Sequence, residues 1–241
     1  MTTADDRPVL ARDSSARPST TEGREPIRLG IVDDDPMVRT GLRLLFGGSA
    51  DIAVVGEATD GAEAVAMVDA HRLDVVLMDI RMPRVDGLAA TQQIRGRAGA
   101  PEVIVLTTFG ADEYVVAALR GGAAGFLLKD TPPLEVIDAV RKVAAGDGAV
   151  SPGLLRALID HVADPAAGSR RARAQARLAG LTEREREVAL GLGRGWSNAE
   201  IGAELRVGVP TVKGHVSRLL AKLEQNNRVQ VAILVHDAEW L

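Results

Sequence analysis

Five residues of this 241-residue chain could together handle phosphate. Asp33 and Asp34 stand side by side after one apolar run, and Asp79 directly follows another. Thr107 and Lys129 close two further apolar runs. Three carboxylates brought into one pocket repel each other unless a cation lies among them. An all-oxygen ligand set suits Mg²⁺, which keeps several waters and bridges a phosphate. A lysine can neutralise that phosphate as a point charge, and a threonine hydroxyl can donate to it. The chemistry implied is a site for a phosphoryl group and Mg²⁺. A single Asp after a strand has a simpler explanation, because Asp starts turns and caps helices. Five suitable residues at four separate run ends outweigh it.

Those residues need a scaffold that gathers run ends, and residues 27–145 supply its pattern. Ile27–Val32, Ile52–Ala58, Leu73–Met78, Val103–Thr108 and Ala124–Leu128 read as strands. The third is continuously apolar, as expected of a strand covered on both faces. Between and after them, Pro36–Phe46, Gly61–Ala70, Leu88–Arg97, Asp112–Arg120 and Pro132–Ala145 show helical spacing. Strict alternation predicts an α/β doubly wound, five-stranded parallel sheet of flavodoxin-like type, with helices on both faces. The first and third strands should be neighbours. Ligands in such sheets bind at the carboxyl ends of the strands, where all five residues fall.

Composition narrows the class. The chain has no cysteine, which excludes disulfides and thiolate metal sites and suits a reducing, cytoplasmic setting. It is 46% hydrophobic but only 2% aromatic, so its cores must be aliphatic. No apolar run is long enough to cross a bilayer, so no membrane partner is expected. Residues 1–26 mix Asp, Arg, Ser, Thr and Pro without an apolar stretch; a disordered tail is expected there, not a signal peptide. The net charge of −4 is uneven. Residues 165–241 hold 12 Lys/Arg against 8 Asp/Glu, whereas the first 164 hold 17 against 25. Only the basic end is suited to meet a polyanion.

Residues 146–180 are expected to form a linker that includes a short helix at 153–162. Its later part is rich in Ala, Gly and Arg. From 181 to 241 the pattern is that of a small all-α domain. Thr182 and Glu185 form a capping box. Ser197–Leu205 reads as a short helix, followed by a turn at Arg206–Val209 and a helix over Pro210–Leu223. A last helix is expected from Asn227 to Ala238. On the Pro210–Leu223 helix, Val212, Val216, Leu219, Leu220 and Leu223 share one face. The remaining positions are Thr211, Lys213, Gly214, His215, Ser217, Arg218 and Lys222. That polar face carries three cations and no acid. An ordinary solvated helix mixes charge signs, whereas a purely cationic face after a short helix and a tight turn fits a major-groove recognition helix.

Val32-Asp33-Asp34-Asp35-Pro36, Val76-Leu77-Met78-Asp79-Ile80-Arg81-Met82-Pro83, Thr107 and Gly125-Phe126-Leu127-Leu128-Lys129 together resemble the receiver domain of two-component response regulators. Leu181-Thr182-Glu183-Arg184-Glu185, Ser197-Asn198-Ala199-Glu200-Ile201 and Thr211-Val212-Lys213-Gly214-His215-Val216 resemble the LuxR-type helix-turn-helix. The pair is similar to the NarL/FixJ class. The resemblance implies that Asp79 accepts phosphate from a sensor histidine kinase. It makes Asp34 a direct Mg²⁺ ligand, with Asp33 acting through water and the Arg81 carbonyl as a further ligand. Thr107 and Lys129 would contact the phosphoryl group, and Phe126 would be the switch aromatic, turning into space left by Thr107. Lys213, Gly214 and Ser217 would face bases or phosphates, with Thr211, His215, Arg218 and Lys222 on the backbone of double-stranded DNA. The last helix, through Val229, Ile233 and Trp240, would form a homodimer on an inverted-repeat operator. The chain would not be an enzyme beyond its self-catalysed phosphoacceptance.

Three positions depart from the family pattern. Asp130 follows Lys129 where many receivers have Pro. Gly208-Val209-Pro210 opens the recognition helix without a side-chain cap, and Gly214 replaces a larger residue. Two rival functions bear on the same residues. A phosphatase of haloacid dehalogenase type would place a second Asp two residues after its nucleophile, where Arg81 stands. A regulator controlled by a small molecule, without phosphate, would not need the complete acidic set.

Overall fold

A computed structural model describes residues 25–107, 112–149 and 167–241. The helix expected at 153–162 and nearly all of the expected tail lie outside the described residues. The first unit runs β1 (Ile27–Val32), α1 (Pro36–Gly47), β2 (Ile52–Ala58), α2 (Gly61–Ala70), β3 (Val75–Asp79), α3 (Gly87–Arg95), β4 (Glu102–Thr107), α4 (Asp112–Arg120), β5 (Gly125–Leu128) and α5 (Pro133–Ala144). The sheet order is β2-β1-β3-β4-β5, with every described pairing parallel. β1 and β3 are neighbours, as their acidic ends required.

β3 shows why the sheet is buried on both sides. Val75 and Leu77 enter the core under α1 and α5, while Val76 and Met78 enter the core shared with α2, α3 and α4. That is the two-residue alternation of a strand. Each fully buried aliphatic side chain of this kind is worth about 1.5–3 kcal/mol in transfer free energy. The helices start where side chains can cap them. Asp35, Asp60 and Asp86 accept from the first turns of α1, α2 and α3, at 2.7, 2.9 and 2.8 Å.

The second unit contains α6 (Ala167–Leu178), α7 (Glu183–Gly193), α8 (Asn198–Leu205), α9 (Val209–Lys222) and α10 (Arg228–Asp237). The expected capping box of Thr182 and Glu185 opens α7, and a second one, Ser197 with Glu200, opens α8. Arg206 turns the chain between α8 and α9 in the left-handed region, at φ 54°. The turn is tight: a Cβ on Gly202 would lie 2.8 Å from the Val207 carbonyl oxygen. α9 begins at Gly208 without a side-chain cap, as its sequence indicated.

The expected linker of 146–180 is shortened by α6. Ala174 and Leu178 are buried in the core of the second unit. Gln175 donates to the Ala238 carbonyl at 3.1 Å, and Arg171 pairs with Glu239 at 2.6 Å. Ala- and Arg-rich composition reads as linker, yet two apolar positions four residues apart suffice to seat one helix face.

Candidate phosphoacceptor site and nucleic-acid interface

Asp79 ends β3 and is buried, Asp33 follows β1 and is fully buried, and Asp34 beside it is exposed. One carboxylate oxygen from each lies within 4.8 Å of the others. The Lys129 ammonium stands between two of them, 2.7 Å from Asp33 Oδ2 and 3.2 Å from Asp79 Oδ1. The Lys129 backbone N–H donates to the Thr107 carbonyl at 2.7 Å, which locks the end of β5 to the end of β4. Thr107 is buried at that rim. Arg81 is exposed in the loop after β3. The fold therefore gathers all five chemically suggestive residues at one edge of the sheet.

The acids fit a divalent cation on their own geometry. The Lys129 contact to Asp33 Oδ2 has ion-pair distance without hydrogen-bond alignment, so that buried oxygen keeps unmet capacity. Among the described residues nothing bonds to the Asp34 carboxylate, and Asp34 is exposed. Burial pushes the Asp79 pKa up; the Lys129 charge opposes this and the Asp33 charge adds to it. For Lys129, burial acts to lower the pKa, but the Asp33 and Asp79 carboxylates outweigh it and the net shift is upward. An anionic pocket with one ammonium is short of positive charge, and a hard cation among the oxygens would supply it.

Gly87 lets the site close. A Cβ there would sit 1.8 Å from the Asp79 carbonyl oxygen, and the Gly87 N–H donates to the Ile80 carbonyl at 2.9 Å. α3 can thus start directly against the end of β3. Phe126, the residue expected to act as the switch aromatic, is buried here. Its ring is 3% exposed and packs in the core with Val105, Val115 and Leu119. An aromatic expected to turn inward is already inside, because alternation along β5 places it under α4.

On α9, Val212, Val216, Leu219 and Leu223 are buried, while Thr211, Lys213, Ser217, Arg218 and Lys222 are exposed. Gly214 and His215 are half-buried, and a Cβ on Gly214 would meet nothing within 4 Å. His215 Nδ1 lies 3.0 Å from an Arg218 guanidinium nitrogen. Lys222 is already engaged, 2.6 Å from Glu185 Oε2. That contact and the Thr182 cap hold the Glu185 pKa at about 2, well below its ordinary 4.5. A depressed acid pKa stabilises the fold above about pH 4.5, and the stabilisation is lost as pH falls toward about 2. At the surface it is worth no more than about 1 kcal/mol. Acid melting of wild type and Lys222→Met should show it: the variant loses less stability between those pH values.

The two units are docked, a contact that no motif announced. The contact lies at the edge of the sheet opposite the acids. Asn227 Nδ2 donates to the Ala123 carbonyl at 2.8 Å, and Gln230 Nε2 to the Arg120 carbonyl at 2.9 Å. Arg95, beside Glu102 at 3.0 Å, donates to the Asn226 carbonyl. Arg228 is the hub: it pairs with Asp147 at 2.6 Å, donates to the Gly146 carbonyl at 3.0 Å and reaches the Trp196 carbonyl. Asp147 also accepts from the Asn198 N–H at 3.0 Å. Lys213 and Ser217 line a cavity of about 200 Å³ with Glu102, Ala124 and Asp147. Two residues expected at a dimer contact are used here, since Val229 and Ile233 join the receiver-side core. Trp240 lies apart, half-buried, with the Arg186 guanidinium 4.2 Å from its ring centroid.

Comparison with known proteins agrees with this division. Residues 29–141 match the family described as response regulator receiver domain, and residues 179–235 match the LuxR family of bacterial regulatory proteins. The chain is 33% identical to the nitrate/nitrite response regulator NarL of Escherichia coli, over 88% of this chain and 96% of that protein. It is 35% identical to the transcriptional regulatory protein LiaR of Bacillus subtilis, over 87% and 97%. A crystal structure of a LuxR-family response regulator from Aurantimonas superposes with a TM-score of 0.54 at 31% identity, covering 58% of this chain and all of that one. With an acidic pocket at the sheet's carboxyl edge and a helix-turn-helix behind it, this chain belongs to the family of two-component response regulators that join a receiver domain to a LuxR-type DNA-binding domain.

Proposed function

We propose that a sensor histidine kinase phosphorylates Asp79 and that the added charge releases the recognition helix α9 to double-stranded DNA. The observation that carries this reading is the convergence of Asp33, Asp34, Asp79, Thr107 and Lys129 on one rim. An Asp79 carboxylate oxygen attacks the phosphorus of a phosphohistidine. The P–N bond breaks, and the imidazole leaves with its electron pair and takes up a proton. Asp33, Asp34, Asp79 and the Arg81 carbonyl would hold Mg²⁺, which when bound neutralises charge on the transferring phosphoryl group. Lys129 is placed to follow the new phosphate oxygens, and the Thr107 hydroxyl to donate to one of them. The acceptor stays chemically simple, so the chain is not an enzyme beyond accepting its own phosphate. Met37 and Leu44 on α1 and Leu134 on α5 are exposed apolar side chains on helices that cover one face of the sheet. They suit a docking kinase.

The docked arrangement keeps α9 from DNA, because Lys213 and Ser217 face receiver acids across a cavity far too small for a duplex. The phosphate therefore has to part the units. α4 is the element placed to do so: Val115 and Leu119 touch the Phe126 core, and the Arg120 carbonyl holds Gln230. A nearly complete switch needs about 5.5 kcal/mol of difference between the states. Parting also frees Val229 and Ile233 for a homodimer on an inverted repeat in the cytoplasm. Incubation with acetyl phosphate and Mg²⁺ should add one phosphoryl group by intact mass, and Asp79→Asn should abolish that gain. A variant that gains the same mass at the same rate contradicts the proposal.

A further inference from the structure

We infer that Arg39, on α1, is a positioning residue for the cation site: it fixes the peptide that presents Asp34. This inference rests on the phosphoacceptor reading above and assigns a role that neither the motifs nor the acid cluster supplies.

The backbone and one carboxylate oxygen of Asp33 are held by hydrogen bonds, and its other carboxylate oxygen has only the Lys129 charge beside it. Its N–H donates to the Ala58 carbonyl at 3.2 Å, its Oδ1 accepts from the Asp35 N–H at 3.0 Å, and its Oδ2 faces Lys129 at 2.7 Å. Its carbonyl oxygen accepts from Arg39 Nη1 at 2.7 Å. That carbonyl belongs to the Asp33–Asp34 peptide, so the guanidinium sets the plane of this planar unit. Asp34 has no side-chain bond of its own among the described residues. The direction of its carboxylate therefore depends on the backbone beneath it, and Arg39 supplies the described side-chain donor to that backbone.

Arg39 is itself anchored. Its side chain is 16% exposed, and Nε lies 3.5 Å from Glu57 Oε2 on β2. Glu57 is held in turn by Arg43, one helical turn further along α1, at 3.3 Å. The planar guanidinium reaches two acceptors at once, one just after β1 and one on β2, a geometry that a lysine ammonium reproduces poorly. The arrangement links the helix, the neighbouring strand and the acidic turn.

Geometry and charge predict opposite results, which makes the role testable. Arg39 is a cation near a cation site, so on charge alone its removal would tighten Mg²⁺ binding. As a positioning group, its removal would weaken binding. Full-length wild type, Arg39→Ala, Arg39→Lys and Glu57→Gln are titrated with Mg²⁺. Half-saturation is read from the rise in melting temperature, and separately from acetyl phosphate incorporation by intact mass. Arg39→Ala should raise the half-saturating Mg²⁺ concentration about fivefold in both readouts, the loss expected for the net contribution of one ordinary hydrogen bond. Arg39→Lys should recover part of this, and Glu57→Gln, which only loosens the anchor, should give a smaller rise. An unchanged or lower half-saturation in Arg39→Ala overturns the inference, even if its melting temperature without Mg²⁺ drops. If Arg39→Ala does not fold, Glu57→Gln decides by the same rule. Wild type that neither binds Mg²⁺ nor accepts phosphate would instead sink the phosphoacceptor reading itself.

Discussion

Gly87→Ala should destabilise the receiver by about 3 kcal/mol and lower phosphate acceptance with it. The added methyl would start 1.8 Å from the Asp79 carbonyl oxygen, and that atom is backbone. No rotamer relieves such a clash. α3 must slide away from β3, the Gly87 N–H bond to Ile80 must break, and the Asp79 carbonyl must rotate. The residue damaged first is the proposed phosphoacceptor. Urea unfolding of the two proteins gives the stability difference, and acetyl phosphate incorporation gives the functional one. An alanine variant with a wild-type midpoint would mean that the close approach of α3 to β3 is wrong.

Asp147→Ala should release the DNA-binding unit without phosphate. Arg228 keeps only 10% of its side chain exposed and depends on Asp147 for its counter-charge. Burial pulls the Arg228 pKa down and Asp147 pulls it back up. Removing one member of a buried pair leaves the other uncompensated in the closed form, whereas in the open form water solvates it. Asp147 also loses its bond from the Asn198 N–H. Closure should weaken by about 2 kcal/mol, about a thirtyfold shift toward the open form. Unphosphorylated Asp147→Ala should bind an operator duplex selected from random DNA correspondingly more tightly than unphosphorylated wild type, with phosphorylated affinities equal. The substitution lies outside the helix-turn-helix, so the intrinsic DNA affinity is untouched. Equal affinities of the two unphosphorylated proteins would remove Asp147 from the clasp.

Much of this molecule is written in its residue pattern. The apolar run ending at Asp79 announces a strand buried on both faces, and β3 is one. Alternation of five strands with five helices dictates the parallel sheet, and that topology brings β1 beside β3. The acids, Thr107 and Lys129 were legible because strand ends are chemically distinctive places. Other features were not. α6 looked like linker because its side chains are short and charged, and among its described side chains the buried apolar ones are Ala174 and Leu178. Val229 and Ile233 announced that they would be covered but not by what. Apolarity specifies burial, whereas the partner depends on how two units meet. Arg39 was invisible for a similar reason. One arginine on an amphipathic helix has no meaning until its guanidinium is seen on the Asp33 carbonyl.

β4 has Thr107 at one end and Glu102 at the other. At about 3.3 Å per residue its six residues span about 20 Å. The proposed phosphoacceptor site and the clasp thus occupy opposite poles of a single strand, and a ligand at one does not compete for the other's space. Whatever passes between them is energy alone, and such exchange is symmetrical. If charging the acidic pole loosens the clasp, then a duplex that holds the clasp open must in turn favour the charged acid. A promoter occupied by this regulator would hold its occupant in the active form.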